Sequence, residues 1–228
     1  LNAADLAALE HPSELRGGFK IRLAKQPRGR RHAGKLVENR YSGRGYTTSQ
    51  SDQDPNLSTF IAYDEGMLVG TVSVRLDSQQ GLSGDDLYRV EIDSLRGAGG
   101  RLCEFTRLAV DKSVASKPVL AGLFHTAYLY AAVIRGYTHA VIEVNPRHVT
   151  FYRRALGFEQ IGAERLNQRV NAPAVLLVVP FDAIAEGLRR HAGKPPAHGA
   201  SRSLFPYGFP EGEEHGVLAR LRGLVPKQ

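Results

Sequence analysis

From Arg101 to Phe181 strand-like and helix-like stretches alternate, and this alternation limits the fold more than any other feature of the chain. "RLCEFTRLAVD" reads as a strand, Pro118 to Arg135 as an apolar helix and "HAVIEV" as a second strand. "PRHVTFYRRAL" then reads as a second helix and "APAVLLVVPF" as a third strand. Strands separated by helices imply an α/β sheet with some parallel pairing. Upstream, "STFIAYDEGMLVGTVSVRLDS" gives two strands around the Asp64, Glu65, Gly66 turn, an antiparallel hairpin. "GFKIRLA" alternates Phe19, Ile21 and Leu23 as a first strand, and a helix is expected from about Arg28 to Tyr41. The polar stretches "SGRGYTTSQSDQDPNLS" and "GLSGDDLYRVEIDSLRGAGG" read as loops, the first long enough to suggest a binding role.

With 228 residues and 42% hydrophobic content, the chain can bury one substantial core, so one main domain is expected over residues 1–185. Residues 186–228 differ in texture: 12 of these 43 residues are Gly or Pro, against 36 in the whole chain. They read as an irregular tail, whose patch "LFPYGFP" could dock and whose "GVLARLRGLV" could form a short helix. Apolar stretches are broken by charges or Pro before membrane-spanning length, so no integral membrane segment is expected. No charged-then-apolar leader is visible and the numbering starts at Leu1, so a cytoplasmic protein whose translated start lies upstream is expected. The single cysteine, Cys103, excludes an intramolecular disulfide and multi-cysteine zinc sites, and the eight histidines show no metal-ligand spacing.

The formal charge of +7 is unevenly spread: nine Lys or Arg lie between Arg16 and Arg40 against one acid, Glu38. Such a field attracts acidic partners or simply forms a solvated face. Nucleic acid is not the expected partner, because the run lacks interleaved aromatic residues and helix-turn-helix or metal-finger spacing.

The chemistry concentrates on two segments. In "CEFTRLAVD" the carboxylate of Glu104 interrupts an apolar strand, where it should be either paired or working as a base. Period-two alternation puts Glu104, Thr106 and Leu108 on one face and Cys103, Phe105 and Arg107 on the other, unless a bulge intervenes. Cys103 fits a core residue better than a nucleophile, since no Cys/His/Asp spacing supports it. In "VIEVNPRHVTFY", Asn145 is a good helix cap and Pro146 a favoured first helical residue. Tyr152 follows two turns later, as a proton donor or as an aromatic core residue, and Glu143 is a second possible base. His125, alone on an apolar helix, reads as structural.

The segments "YRVEID", "CEFTRLAVD", "LFHTAYLYA", "VNPRHVTFYRRALGF" and "RVNAPAVLL" resemble the N-acyl amino acid synthases, the N-acyl tyrosine synthase group of the GNAT acyltransferase superfamily, over about Phe19 to Phe181. Glu104, Thr106 and Arg107 also echo the Glu-x-Ser-Arg strand of the acyl-homoserine-lactone synthases, and Arg40, Asp52 and Asp54 lie where that family carries further charged residues. The resemblance implies a GNAT-like mixed α/β fold: a mostly antiparallel central sheet flanked by helices, with a splayed parallel strand pair. It implies transfer of a long-chain acyl group to an amino acid's α-amine, with Glu104 as base and Tyr152 protonating the leaving thiolate. Arg107, Asn145, Thr106 and Arg75 would then bind substrate. The acceptor carboxylate needs an Arg, for which Arg75, Arg89, Arg101, Arg107 and Arg147 are all eligible.

The donor is read from what "DKSVASKPVLAGLFHTAY" lacks. A CoA pyrophosphate needs closely spaced backbone N–H groups at a helix start, whereas here Gly122 is isolated and late and Pro118 removes a donor. Acyl-phosphopantetheine on acyl carrier protein has a single phosphodiester and suits a basic surface, for which Lys112, Lys117, Arg30 and Arg31 are candidates. An acyl-CoA or acetyl-CoA donor, a homoserine-lactone-type synthase and a non-catalytic binding module are the alternatives. No tightly bound cofactor and no metal are expected.

Overall fold

The computed structural model describes residues 18–24, 27–41, 54–111, 116–194 and 202–224; the side chains of residues 27, 28, 30 and 38–41 lie outside that description. In chain order the elements are β1 (Lys20–Leu23), α1 (Pro27–Tyr41), β2 (Leu57–Asp64), β3 (Met67–Leu76), α2 (Asp85–Gly97) and β4 (Leu102–Val110). There follow α3 (Lys117–Tyr128), β5 (His139–Val144), α4 (Val149–Leu156), β6 (Glu159–Gln160), β7 (Arg165–Asn167), β8 (Ala172–Pro180), α5 (Phe181–His191) and α6 (Glu211–Leu224). A π-helical turn, Leu129–Ile134, extends α3, and short 3-10 turns cover Pro146–His148 and Phe205–Tyr207.

The strands form one sheet in the order β1-β2-β3-β4-β5-β8-β6, with β7 paired to β8. The β2–β3 hairpin turns at Glu65 (φ 47°) and Gly66 (φ 84°), both left-handed, as a tight two-residue turn requires. β4 and β5 form the one parallel pair among the described residues. It is short: Leu102, Cys103 and Glu104 pair with His139, Ala140 and Val141, and beyond that point the strands part. This is the mixed, mostly antiparallel sheet with a splayed parallel pair that the sequence resemblance implies.

The faces differ in character. On one, Tyr88 and Ile92 of α2 pack on Leu102, Val141, Leu176 and Val178, while Leu36 and Val37 of α1 pack on Ala109. The other carries the main core, built by α3, α4, α5 and α6 on strand residues such as Phe60, Val72, Phe105, Leu108 and Leu177. α3 with its π-turn, Lys117–Ile134, is the one described helix long and apolar enough to cross a membrane; here 67% of it is buried within the protein, as the central helix of this core.

Three sequence readings are corrected by the structure. The stretch taken as a second polar loop contains α2, whose apolar residues Tyr88, Ile92 and Leu95 recur at helical spacing among charges. Arg96 holds that helix down, bonding Asp77 of the preceding loop and Asp85 of its first turn at 2.7 Å each. Strict alternation along β4 fails at Arg107 (φ 51°), where β4 carries one residue more than β3 between the pairs Ser73–Thr106 and Thr71–Ala109. This bulge moves Leu108 to the Phe105 face and leaves Leu102, Glu104, Thr106 and Ala109 on the other. Finally, the Gly/Pro-rich tail is more regular than its composition suggests: α6 spans Glu211–Leu224, and Leu204, Val217, Leu218 and Leu221 enter the main core.

His125 fastens this C-terminal segment. Its Nδ1 accepts a 3.0 Å bond from Phe209 N, the two rings stack at 5.0 Å, and Nε2 faces Glu214 at 3.2 Å. The Phe209 bond requires Nδ1 to be unprotonated, and burial pushes the imidazole down to about 4. Glu214, itself raised by burial, is a weak counter-charge. Because the unfolded chain takes up this proton near pH 6.5, the stability His125 contributes is complete above that pH and is lost as pH falls towards 4, by up to about 3 kcal/mol. Denaturant unfolding at steps across this window should show the loss in the native protein and a flatter profile in His125→Gln.

Candidate active site

Glu104 is the last residue of β4 to pair with β5, so its side chain emerges where the two strands separate. It is 3% exposed and points to the α1–α2 face. Burial pushes its carboxyl above the ordinary range. A 2.8 Å bond from Ser83 N to Oε2 and the Arg75 guanidinium, whose Nε lies 4.0 Å from Oε2, work in the opposite direction. Arg75 is the cross-strand partner of Glu104, and its Nη1 pairs with Asp54 at 2.7 Å. Its Nε is buried without a hydrogen-bond partner. A poised carboxylate and a guanidinium with an unused donor thus stand side by side.

The loop that supplies Ser83 N is held in shape on both sides. Leu82 N donates to Asp85 Oδ2 at 2.6 Å; Asp85 stays below its ordinary value despite burial, because Arg96 and Leu82 both bond it. Arg169, in the turn between β7 and β8, donates to Ser83 O at 3.3 Å and faces Asp86 at 3.3 Å and Glu143 at 3.5 Å. Sequence reading missed both Ser83 and Arg169: each acts from a turn, through a contact more than 20 residues away in the chain, and carries no local pattern.

Glu143, the alternative base, lies on the same face as Glu104, two residues beyond its partner Val141. Burial raises its carboxyl too, while Asn167 Nδ2 donates to Oε1 and Arg169 faces Oε2. Both its oxygens are engaged, so Glu104 is the better placed of the two. Thr106 follows on this face, opposite Ser73, whose hydroxyl meets that of Thr59 at 2.8 Å. Arg107 occupies the bulge.

Tyr152 belongs to the opposite face. It is buried in the main core among the rings of Phe151, Phe158 and Phe124, at 5.2, 5.9 and 6.3 Å. Glu104 and Tyr152 therefore approach the sheet from different sides. Asn145 caps the turn before α4, accepting from Arg147 N at 3.3 Å, and ties it to β8 through Pro173 O at 3.2 Å. Both ends of its amide thus have structural partners. Cys103 is fully buried on the Phe105 face and burial pushes its thiol up, which disfavours a thiolate nucleophile.

At the start of α3, Ser116 Oγ accepts from Val119 N at 3.3 Å, Leu120 N donates to Ser116 O at 3.1 Å and Pro118 has no N–H, so these three positions hold no spare donor. Gly122 serves packing: a Cβ there would lie 2.8 Å from the Phe19 ring. Lys117 sits over the Tyr207 ring at 5.8 Å, and Arg31 is exposed on α1. Lys112 and Asp52 lie outside the described residues, as do the side chains of Arg30 and Arg40.

Comparison with known proteins bears on the fold and the family. The structure of FeeM, an N-acyl amino acid synthase from uncultured soil microbes, is 33% identical and superposes with a TM-score of 0.66, covering 72% of this chain and 93% of that one. A CoA-dependent acyl-homoserine lactone synthase, BjaI, gives a TM-score of 0.56 at 12% identity, covering 76% of this chain and 89% of the other. An acyl-CoA N-acyltransferase from Pseudomonas aeruginosa gives 0.53 at 12% identity, covering 71% and 99%. These two share the fold. No curated protein matches the chain. A family model described as N-acyl amino acid synthase FeeM matches residues 32–180. The chain therefore belongs to the FeeM family of N-acyl amino acid synthases, and is an acyltransferase with the GNAT fold.

Proposed function

We propose that the protein transfers a long-chain acyl group from acyl carrier protein to the α-amine of an amino acid, giving an N-acyl amino acid. The observation that carries this reading is the pair Glu104 and Arg75 at the mouth of the β4–β5 gap. A zwitterionic acceptor offers an ammonium and a carboxylate one carbon apart, and the two side chains offer a base and a cation at matching separation. Arg75 takes the carboxylate, and Glu104 removes a proton from the ammonium, directly or through a water. The freed amine attacks the thioester carbonyl held in the gap. Attack forms the C–N bond and a tetrahedral oxyanion, which collapses as the C–S bond breaks; the bonded nitrogen gives up its second proton to solvent, from which Tyr152 is reprotonated. Tyr152, from the far face, delivers a proton to the departing sulfur.

The internally capped start of α3 supports a carrier-protein donor over free CoA. Lys117 and the exposed Arg31 are proposed to meet an acidic carrier, and Arg30 and Lys112 are added to them on the sequence alone. A carrier-linked donor places the reaction in the cytoplasm.

The reading is tested by incubating the protein with long-chain acyl-carrier protein or acyl-CoA and pooled amino acids, with N-acyl products read by mass spectrometry. Product from the carrier-linked donor is expected; product from neither donor defeats the proposal. Glu104→Gln should lower kcat by roughly a hundredfold or more, and Tyr152→Phe by a comparable factor if proton delivery limits the rate.

The pH profile carries a separate expectation. Activity requires Glu104 ionised, so the rate should fall with decreasing pH through a pKa above the ordinary carboxylate range. Arg169→Ala loosens the Ser83 loop and weakens a bond that favours the carboxylate. Its acid limb should therefore move to higher pH, with Arg169→Lys in between. An unmoved limb would show that Ser83 is held without Arg169.

A further inference from the structure

Arg96, in the last turn of α2, has its guanidinium engaged in full: all five N–H groups have carboxylate partners, so none is left for Glu104. Nε and Nη2 grip the two oxygens of Asp77 at 2.7 and 2.9 Å, and Nη1 and Nη2 grip the two of Asp85 at 2.7 Å each. The second Nη1 proton goes to Asp93 at 2.6 Å. Two forks on one planar cation fix direction as well as distance.

The forks tie together parts of the chain that meet at Glu104. Asp77 comes two residues after Arg75, and its N–H bonds Leu102 O at 3.1 Å, two residues before Glu104. Asp85 serves the loop: its Oδ2 takes the N–H of Leu82 at 2.6 Å, and the next N–H, that of Ser83, reaches Glu104 Oε2 at 2.8 Å. Gly81 (φ 72°) passes so close that a Cβ there would lie 2.7 Å from Asp85 Oδ2. The loop is moulded on the Asp85 carboxylate, and Arg96 sets where that carboxylate stands relative to the strands bearing Arg75 and Glu104.

We propose that Arg96 is a positioning residue for the base: by holding Asp85 against Asp77, it keeps Ser83 N within bonding distance of Glu104. This rests on the reading of Glu104 as the base and adds a residue that acts on it through Asp85, Leu82 and Ser83. A plain charge effect is the competing account, and the two differ in sign. The charged groups facing Glu104 are Arg75 from β3 and Glu143 from β5, with Asp54 behind the first and Arg169 and Asp86 near the second; none is altered in the variants below.

Arg96→Lys keeps the charge, but a point-like ammonium with three donors cannot form both forks. Charge alone predicts no change, whereas a released Ser83 N–H disfavours the carboxylate and moves the acid limb of the rate profile about one pH unit higher. Asp85→Asn removes a negative charge, which alone would move the limb lower; a loosened loop moves it higher. Asp93→Asn should leave the limb in place, because Asp93 is half exposed and has no bond to the loop among the described residues. Each variant is first checked for native-like thermal melting, and NMR titration of the labelled Glu104 carboxyl, assigned with Glu104→Gln, reads the same quantity without turnover. Upward movement in both Arg96→Lys and Asp85→Asn is expected. No movement in folded Arg96→Lys, downward movement in Asp85→Asn, or an equally large movement in Asp93→Asn overturns the proposal; should Arg96→Lys not fold, the sign in Asp85→Asn decides. If the native protein forms no N-acyl product but the Glu104 titration moves as expected, the reaction assignment falls and the positioning role stands. If product forms and neither limb nor titration moves, the positioning role falls and the reaction assignment stands.

Discussion

The structure depends on one constraint: β4 and β5 pair in parallel for three residues and then part. A sheet interrupted in this way leaves backbone and side chains uncovered at its centre, where an antiparallel ladder would seal them. Glu104 stands at the edge of that opening and is the only acid of β4. Its burial would be prohibitive without partners, since an isolated carboxylate in an apolar interior reverts to its neutral form. Ser83 N and Arg75 offset part of that cost. The balance leaves a carboxyl that ionises less readily than in water and accepts a proton more readily, which suits a base.

The supporting elements follow from this position. α2 and its leading loop exist on this face as a rigid frame for one N–H group, with Asp85 and Arg96 fastening the loop below and Arg169 above. The bulge at Arg107 reverses the side-chain alternation, so that β4 can give Phe105 and Leu108 to the α3 core while keeping Glu104 and Thr106 on the polar face. The two faces differ along the same line: a charged, hydrogen-bonded side with Glu104 and an aromatic side that holds Tyr152. His125, buried and neutral, ties the C-terminal segment to the aromatic side.

Much of the fold was legible because its signals are local. The Glu65–Gly66 turn needs left-handed residues, the Asn145–Pro146 pair starts a helix by its own chemistry, and an unbroken apolar run marks β8, a strand buried on both faces. α2 was missed because its core-facing residues Tyr88, Ile92 and Leu95 are diluted by six charged residues over Asp85–Gly97, and the charges have tertiary roles that composition cannot show. In the site, Glu104 was legible as an anomaly, a carboxylate in an apolar strand. Ser83 and Arg169 were not, because a backbone N–H and a turn arginine look ordinary until folding brings them to Glu104 and Glu143.

By itself the sequence determined the order of elements, the apolar faces, the lone buried acid of β4 and the shortage of free donors at the start of α3. These are properties of residue type and spacing, which act over a few positions. Only the tertiary structure decided that Glu104 and Tyr152 stand on opposite faces of the sheet, that Arg75 and Ser83 share the first and that residues 202–210 close over the second. Each of those depends on strand register, on a single inserted residue in β4 and on close packing across long chain separations, and none of these leaves a periodic trace in the sequence.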